Sequence, residues 1–526
     1  MAHQHLERLT STDASFLHRE SASAHMHVGG VLLFEGKAPP IEAVLDHIRS
    51  RLHLVPRYRQ KLAFPPAGSG RPLWIDDQSF NLGYHVRHTA LPAPGSEAQL
   101  LALTGRLASQ PLDRSKPLWE FWLVEGIEPA PGASGERFAM IAKSHHALVD
   151  GISGIDLATV LLDLSPEPQR PDTSGLEPWR PRPTPTAAQM VAVGLRDGAG
   201  ALAGLAARAL AAAASPGRSA QGLRDSAEGV GGLLWQLLDP APATPLNVPI
   251  GPHRRFRVVR QQLSDYKAVK DACGATVNDV VLAVVAGAVG DWMRAREIDT
   301  SDATLRALVP VSVRSAQERG TLGNRLTVMR GPLPVGIRDP LARLRAVAKA
   351  MDAVKRSKQA VGASALVAAG AAAPPAVLAQ ASRLQFSTRL FNLLVTNVPG
   401  PQVPLYILGR RLSDLFPLAF LPDGHALAVA LMSYNGKVEY GLLGDYDALA
   451  DIDLIASGLD RSLAELVRAV RGPAGADSAT PAPLLPASRR RAAGGPAAEM
   501  RARAQRPKRA GLGVAQAGYR EAQPDI

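Results

Sequence analysis

Short runs in which almost every position is apolar alternate along this chain with longer stretches whose apolar residues recur every three or four positions. Val28 to Phe34, Phe138 to Ile141, Leu305 to Pro310 and Leu393 to Val395 are of the first kind and predict β-strands. Leu157, Val160, Leu161 and Leu164 keep helical spacing, and Val280, Val281, Leu282, Val284, Val285 and Val289 predict a buried helix. Strands and helices that take turns along a sequence predict an α/β fold of mixed layers. Two Ala-rich stretches stand apart. Thr186 to Leu238 carries Arg196, Arg208, Arg218 and Arg224 among apolar residues, which excludes a conventional membrane span and predicts a helical crossover between domains. Gln359 to Ser382 is uncharged, but Pro374-Pro375 interrupts it and predicts two helical pieces with a break.

At 526 residues the chain exceeds one ordinary domain, and 46% apolar content supplies two cores. The expected division is an N-terminal domain over 1–185, the crossover over 186–245, a C-terminal domain over 246–470 and a tail over 471–526. That tail holds ten Lys or Arg against four Asp or Glu, half of the chain's net charge of +12, and is rich in Ala, Pro and Gly, so it reads as disordered. Its basic runs lack interleaved aromatics, and no nucleic-acid partner is expected. The single cysteine, Cys273, excludes an intramolecular disulfide framework, and no Cys/His cluster has zinc spacing, so no metal is expected. The first twenty residues lack the apolar core of a secretory signal, which predicts a cytoplasmic protein.

The chemistry concentrates in His145-His146-Ala147-Leu148-Val149-Asp150-Gly151, between the strand ending near Lys143 and the helix that follows. Strand-to-helix connections are where rigid scaffolds present reactive loops. An unperturbed imidazole titrates near neutrality, which suits a general base, and only one of the two histidines need act. Taken alone, such a pair also reads as surface decoration or a satisfied polar pair. Asp150 and Ser153 can each cap the next helix, and Gly151 supplies either positive φ or room for a substrate. Asp150 lies four residues beyond His146 across a turn; geometry rather than presence defines a relay, and a structural role is expected. Further along, Thr276 or Asn278 can cap the buried helix.

The HHxxxDG pattern resembles the signature shared by acyl-CoA-dependent acyltransferases and the condensation domains of peptide synthetases. Other motifs select one branch by their order. They are Leu9-Thr-Ser-Thr-Asp13-Ala-Ser15-Phe16, Met26-His27-Val28-Gly29-Gly30, Pro111-Leu112, Pro117-Leu118-Trp119, Asn278-Asp279-Val280-Val281-Leu282-Ala283, Val309-Pro310-Val311-Ser312-Val313-Arg314, Gly323-Asn324, Asn397-Val398-Pro399-Gly400-Pro401 and Ser433-Tyr434-Asn435-Gly436. The set resembles the bacterial bifunctional wax ester synthase/diacylglycerol acyltransferase family over roughly residues 6 to 470.

The resemblance implies two chloramphenicol-acetyltransferase-like α/β halves with the active-site channel where they meet. It implies transfer of a long-chain fatty acyl group from acyl-CoA, as co-substrate, to diacylglycerol or a long-chain fatty alcohol, with no permanently bound cofactor. By the family pattern His146 is the general base, the alkoxide attacks the thioester directly without an acyl-enzyme, and His146 returns its proton to the leaving thiolate. Oxyanion donors are typically worth about 10²–10³ in rate, and Asn278 is the candidate for that neighbourhood. His145 supports, Gly151 shapes the loop, and Asp150 pairs with an arginine, for which Arg314 is the candidate.

Acceptors of this kind dissolve in lipid, so peripheral contact with a membrane or lipid inclusions is expected, with Leu233, Leu234, Trp235, Leu237 and Leu238 as one candidate patch. Packing of that patch on the protein's own core is the competing expectation. Two departures bear on acceptor choice. Leu394-Val395-Thr396 stands where many relatives have Tyr-Ser, and Gly424-His425-Ala426-Leu427 lacks an expected Leu-Asn pair. A condensation-type acyltransferase with another donor or acceptor is the alternative function, against which counts the lack of a carrier-domain signature. A non-catalytic lipid-body scaffold is a third, against which counts the intact HHxxxDG.

Overall fold

The computed structural model of the chain describes residues 7–66, 70–130, 132, 135–148, 161–168, 171, 174–175, 177–214, 240–312, 326–356 and 386–472. Asp150, Gly151, Arg314, the Leu233–Leu238 patch, Gln359 to Ser382 and all but the first two residues of the tail lie outside the described residues.

The first half runs α1 (Ser11–Arg19), β1 (His27–Glu35), α2 (Ile41–Arg51), β2 (Val86–Ala90), α3 (Glu97–Ala108), β3 (Trp119–Ile127) and β4 (Arg137–His145). Helix α4 (Ala187–Ala214) follows. The second half runs β5 (Arg254–Gln262), α5 (Leu263–Cys273), α6 (Val277–Ala295), β6 (Leu305–Ser312), β7 (Leu326–Leu333), α7 (Pro340–Arg356), β8 (Leu393–Pro399), β9 (Tyr406–Ile407), β10 (Arg410–Leu418), β11 (Leu427–Tyr434), β12 (Lys437–Asp445) and α8 (Ile452–Arg471). The four runs expected as strands fall inside β1, β4, β6 and β8, and the apolar run after Asn278 lies in α6.

Two six-stranded sheets result. The second is β7-β6-β8-β11-β12-β5, built from the C-terminal half alone. The first is β9-β10-β1-β4-β3-β2, and its first two strands come from beyond residue 400. The first sheet therefore draws strands from both sides of residue 246. Strand β10 leaves its own half to pair antiparallel with β1, from Leu412 opposite Phe34 to Leu418 opposite Gly29. The physical reason lies in β1, which is apolar on both faces and would otherwise be a sticky exposed edge.

Period-2 alternation explains how the layers stack. In β1, Leu32 and Phe34 point into a core that also holds Trp119, Phe121 and Phe138, while Val31 and Leu33 point the other way. In β11, Leu427, Val429 and Leu431 join α6 and α8 in a second core, while Ala428 and Ala430 turn toward the first sheet. The outward sets of both sheets meet in a third apolar cluster with Ile141, Leu308, Phe391, Leu394 and Phe416. Strands buried on both faces account for the near-continuous apolar runs in the sequence. Asn435 and Gly436 both take positive φ, at 44° and 85°, as the tight hairpin between β11 and β12 demands.

Polar groups stitch the rim of this seam. Arg260 on β5 bonds Glu97 on α3 and Asp414 on β10, and Lys437 reaches Asp414 at 2.7 Å. Glu439 on β12 accepts the Leu415 N–H at 2.6 Å. Burial, and then the Asp414 carboxylate beside it, push Glu439 up to about 9. Asp414, although burial opposes its charge, is held down to about 2 by hydrogen bonds from Lys437 and Glu439. Glu439 therefore carries a proton in the folded chain that its unfolded form releases near the ordinary glutamate value of 4.5, so stability falls as pH rises from there to about 9. The Asp414 contribution is complete above the ordinary carboxylate range and stays constant across that window. Glu439→Gln keeps the donor without the titration. Relative to wild type, its Tm gain should be larger at pH 8 than at pH 5 by roughly 2–4 °C; equal gains at both pH values would contradict this account.

Candidate active site

Strand β4 ends at His145, and the backbone of the next residue is held as firmly as the strand itself. The His145 N–H donates to the Leu118 carbonyl at 2.9 Å, and the His146 N–H donates to the Met26 carbonyl at 2.8 Å. The Pro-Leu-Trp and Met-His-Val-Gly-Gly segments thus each supply one backbone acceptor to the histidine pair. Leu118 and Trp119 are fully buried, and Trp119 donates its indole N–H to the Tyr58 carbonyl at 2.8 Å. His85 stacks on the Trp119 ring at 4.6 Å, which locks that segment in place. On the other flank, a Cβ on Gly29 would sit 1.8 Å from the Ala142 carbonyl oxygen, so only glycine lets β1 lie this close to β4.

The His146 ring lies flat on Phe16 of α1, with centroids 3.9 Å apart, and meets Phe420 edge-on at 5.7 Å. Phe420 follows β10, so a residue of the C-terminal half walls the imidazole. A second ring, Phe386, lies 6.1 Å from Phe420 and carries the Arg19 guanidinium 3.9 Å over its face. Burial lowers His146 to about 4, and the neighbouring His145 and Arg19 act in the same direction. The imidazole is therefore neutral at physiological pH, the form that accepts a proton. Among the described residues its Nδ1 has no hydrogen-bond partner.

His145 is buried and faces away from that box. Its Nδ1 accepts the Ala147 N–H at 3.0 Å, so in the neutral ring the proton sits on Nε2, 3.5 Å from a carboxylate oxygen of Glu20. Glu20 was not singled out from the sequence. It stands just past α1, held by Arg114 and faced by His27 Nε2 at 3.5 Å and His25 Nδ1 at 3.9 Å. Although burial opposes its charge, the nearby His145 and His27 rings and the Arg114 guanidinium hold Glu20 far below the usual carboxylate range. Burial lowers His27 to about 3 and lowers His25 as well, leaving both rings neutral. Helical spacing gave no signal for Glu20, because α1 ends at Arg19 and Glu20 is the extended residue that follows it.

Other candidates separate. Asn278 is the second residue of α6, half-buried, and the cap is Thr276, whose hydroxyl accepts the Asp279 N–H while Asp279 accepts the Thr276 N–H. No hydrogen bond among the described residues joins Asn278 to either histidine. Where the chain re-enters the described residues after the loop, Asp163 exchanges backbone hydrogen bonds with Tyr406 at 2.7 and 2.9 Å, and its carboxylate is bonded by Arg51. The departure at His425 is architectural, its ring stacked on Phe391 at 4.0 Å and bonded to the Phe391 and Asp423 carbonyls.

Among the described residues no group of three or more His, Cys, Asp or Glu side chains is arranged to hold a metal ion. No single described helix is long and apolar enough to cross a membrane. The bent pair α5 and α6 passes that test jointly, but α6 is packed into the second core. Phe16→Ala should admit water to the His146 ring and raise its titration midpoint from about 4 toward the ordinary 6.5, read by NMR of ring-labelled histidine. An unchanged midpoint would mean that burial is not what holds the ring neutral.

Comparison with known proteins matches two family models to the chain. "Wax ester synthase/diacylglycerol acyltransferase catalytic domain" covers residues 9–281, and "WS/DGAT C-terminal domain" covers residues 322–467. The chain is 34% identical over 468 residues to the Mycobacterium tuberculosis (strain ATCC 25618 / H37Rv) protein named "Probable diacyglycerol O-acyltransferase tgs1", covering 88% of this chain and 96% of that one. Among solved structures, it is similar to the wax ester synthase/diacylglycerol acyltransferase from Marinobacter aquaeolei VT8, with a TM-score of 0.61, 28% identity, and coverage of 88% of this chain and 98% of that one. The first condensation domain of the calcium-dependent antibiotic synthetase shares the fold, with a TM-score of 0.53, 18% identity, and coverage of 88% of this chain and 97% of that one.

Proposed function

The chain belongs to the wax ester synthase/diacylglycerol acyltransferase family, and we propose that it moves a long-chain fatty acyl group from coenzyme A to diacylglycerol or a fatty alcohol, with His146 as general base. The observation that carries this reading is the His146 ring. It is neutral at physiological pH, fixed by its own backbone N–H, and walled by Phe16 from one half and Phe420 from the other. In the forward step the imidazole takes the acceptor hydroxyl proton as the oxygen attacks the thioester carbonyl. The tetrahedral oxyanion then collapses, the C–S bond breaks, and the imidazolium returns the proton to the thiolate. Ester and free coenzyme A leave, and the enzyme ends as it began.

Phe16 and Phe420 shield two sides of the half-buried base from water, which disfavours hydrolysis of the thioester in place of transfer. Asn278 stays the candidate donor for the oxyanion, because α6 is capped by Thr276 and does not use the asparagine side chain for that purpose. Asp150, Gly151 and Arg314 keep their proposed loop-holding roles. Acceptors of this class are dissolved in lipid, so the proposed setting is peripheral, at the cytoplasmic face of a membrane or on lipid inclusions. Helix α4 supports that setting, with Leu195 69% exposed beside Arg196.

Purified protein given labelled palmitoyl-CoA with diacylglycerol, hexadecanol or an amine should form ester with at least one hydroxyl acceptor. His146→Ala should lose about 10²–10⁴-fold in kcat. Wild-type turnover by that variant would sink the mechanism, and amide formation alone would point to a condensation-type enzyme.

A further inference from the structure

Helix α1 and the residue that ends it meet the two histidines with different jobs. Phe16 gives its face to His146, while Glu20, one turn later, lies opposite Nε2 of His145. The Glu20 side chain is 9% exposed and the His145 side chain 1%, so the contact is shielded from solvent. Arg114 fixes the carboxylate from the far side, through Nε at 3.1 Å and through Nη2, and also bonds the Leu17 carbonyl, so the glutamate cannot swing independently of α1.

From this geometry we infer that Glu20 is a positioning residue for acyl transfer, acting through His145 to set the direction of His146. The chain of contacts is short. His145 Nδ1 accepts the Ala147 N–H, which puts the proton of the neutral ring on Nε2, and the Glu20 carboxylate lies 3.5 Å from that nitrogen, where its charge favours the same tautomer. Those two contacts bracket His146, whose own N–H is spent on the Met26 carbonyl. His146 is thereby held on three sides along the backbone, and its ring direction follows. Without the carboxylate, the other His145 tautomer becomes accessible. In that tautomer an Nδ1–H points at the Ala147 N–H, two donors face each other, and the turn must open. The polar atoms around Glu20 fit this role: Glu20 Oε1, His25 Nδ1, both His27 ring nitrogens and His145 Nε2 have no hydrogen-bond partner among the described residues, and the three rings face the carboxylate as charge contacts of 3.5 to 3.9 Å. The carboxylate thus faces three imidazoles and Arg114.

The inference rests on His146 being the base, and its test separates the two. Glu20→Gln keeps the shape but removes the charge that selects the tautomer. A misplacement of about 1 Å at a reacting group costs on the order of 10²-fold, so Glu20→Gln should lower kcat by about 10- to 100-fold. KM should stay within about two-fold if only the reacting geometry is lost. Nitrogen-15 NMR of histidine-labelled enzyme should show the His145 resonance leaving the Nε2–H pattern, its assignment made by its absence in His145→Asn. The decisive arm is a double-mutant cycle. If Glu20 acts through His145, then Glu20→Gln should cost nothing further in a His145→Asn background, where no imidazole N–H faces the carboxylate. Additive losses, or wild-type kcat in Glu20→Gln with His146→Ala inactive, would overturn this role and leave the base assignment standing. Activity in His146→Ala would overturn the base assignment itself. Should Glu20→Gln fail to fold, Glu20→Asp shortens the reach by one methylene and serves the same cycle.

Discussion

Two backbone hydrogen bonds one residue apart, from His145 to Leu118 and from His146 to Met26, hold the reactive dipeptide between strands β3 and β1. They exist only because β4 runs antiparallel between those two strands, His27 opposite His145 and Trp119 opposite Ser144. Much of the first half serves that placement. Trp119, locked by Tyr58 and His85, sets the height of Leu118, and Gly29 lets β1 close to within backbone contact of β4. Loss of either flank would leave a histidine N–H buried without a partner, at a cost of about 1–3 kcal/mol, and would release the ring it orients.

The second half completes the site without contributing a described acid or base to it. Strand β10 crosses over to cover β1, and the chain that leaves it brings Phe420 against His146. The alternating faces of β1, β4, β8 and β11 then fuse both sheets into one apolar seam. This arrangement explains why the imidazole is so far from its ordinary pKa: the seam that holds the halves together is also the low-dielectric wall of the base. Stability and reactivity draw on the same phenyl groups, so changes at Phe16 or Phe420 will register in both.

Much of this was legible in the chain. The strands could be read because doubly buried strands leave continuous apolar runs, and α6 because its apolar run was unbroken. The histidine pair could be read because its motif is local. What could not be read were the long-range partners. The crossing of β10 into the first sheet leaves no local mark, since an apolar strand looks the same whichever sheet it joins. Glu20 is separated from His145 by more than a hundred residues, and its importance arises only when α1, β1 and β4 are brought together. Thr276 and Asn278 were indistinguishable as caps until the capping box with Asp279 selected Thr276. The segment holding Asp150 and Gly151 lies outside the described residues, so their loop roles stay as the motif implies.

The central claim is that His146 works as a base made neutral by enclosure. Because kcat/KM reports the protonation of free enzyme, its pH profile for ester formation tests this directly. A base held at about 4 predicts a rate that stays level as pH falls through 6.5 and declines only on approach to about 4. An acid limb centred near 6.5, the ordinary imidazole value, would contradict it.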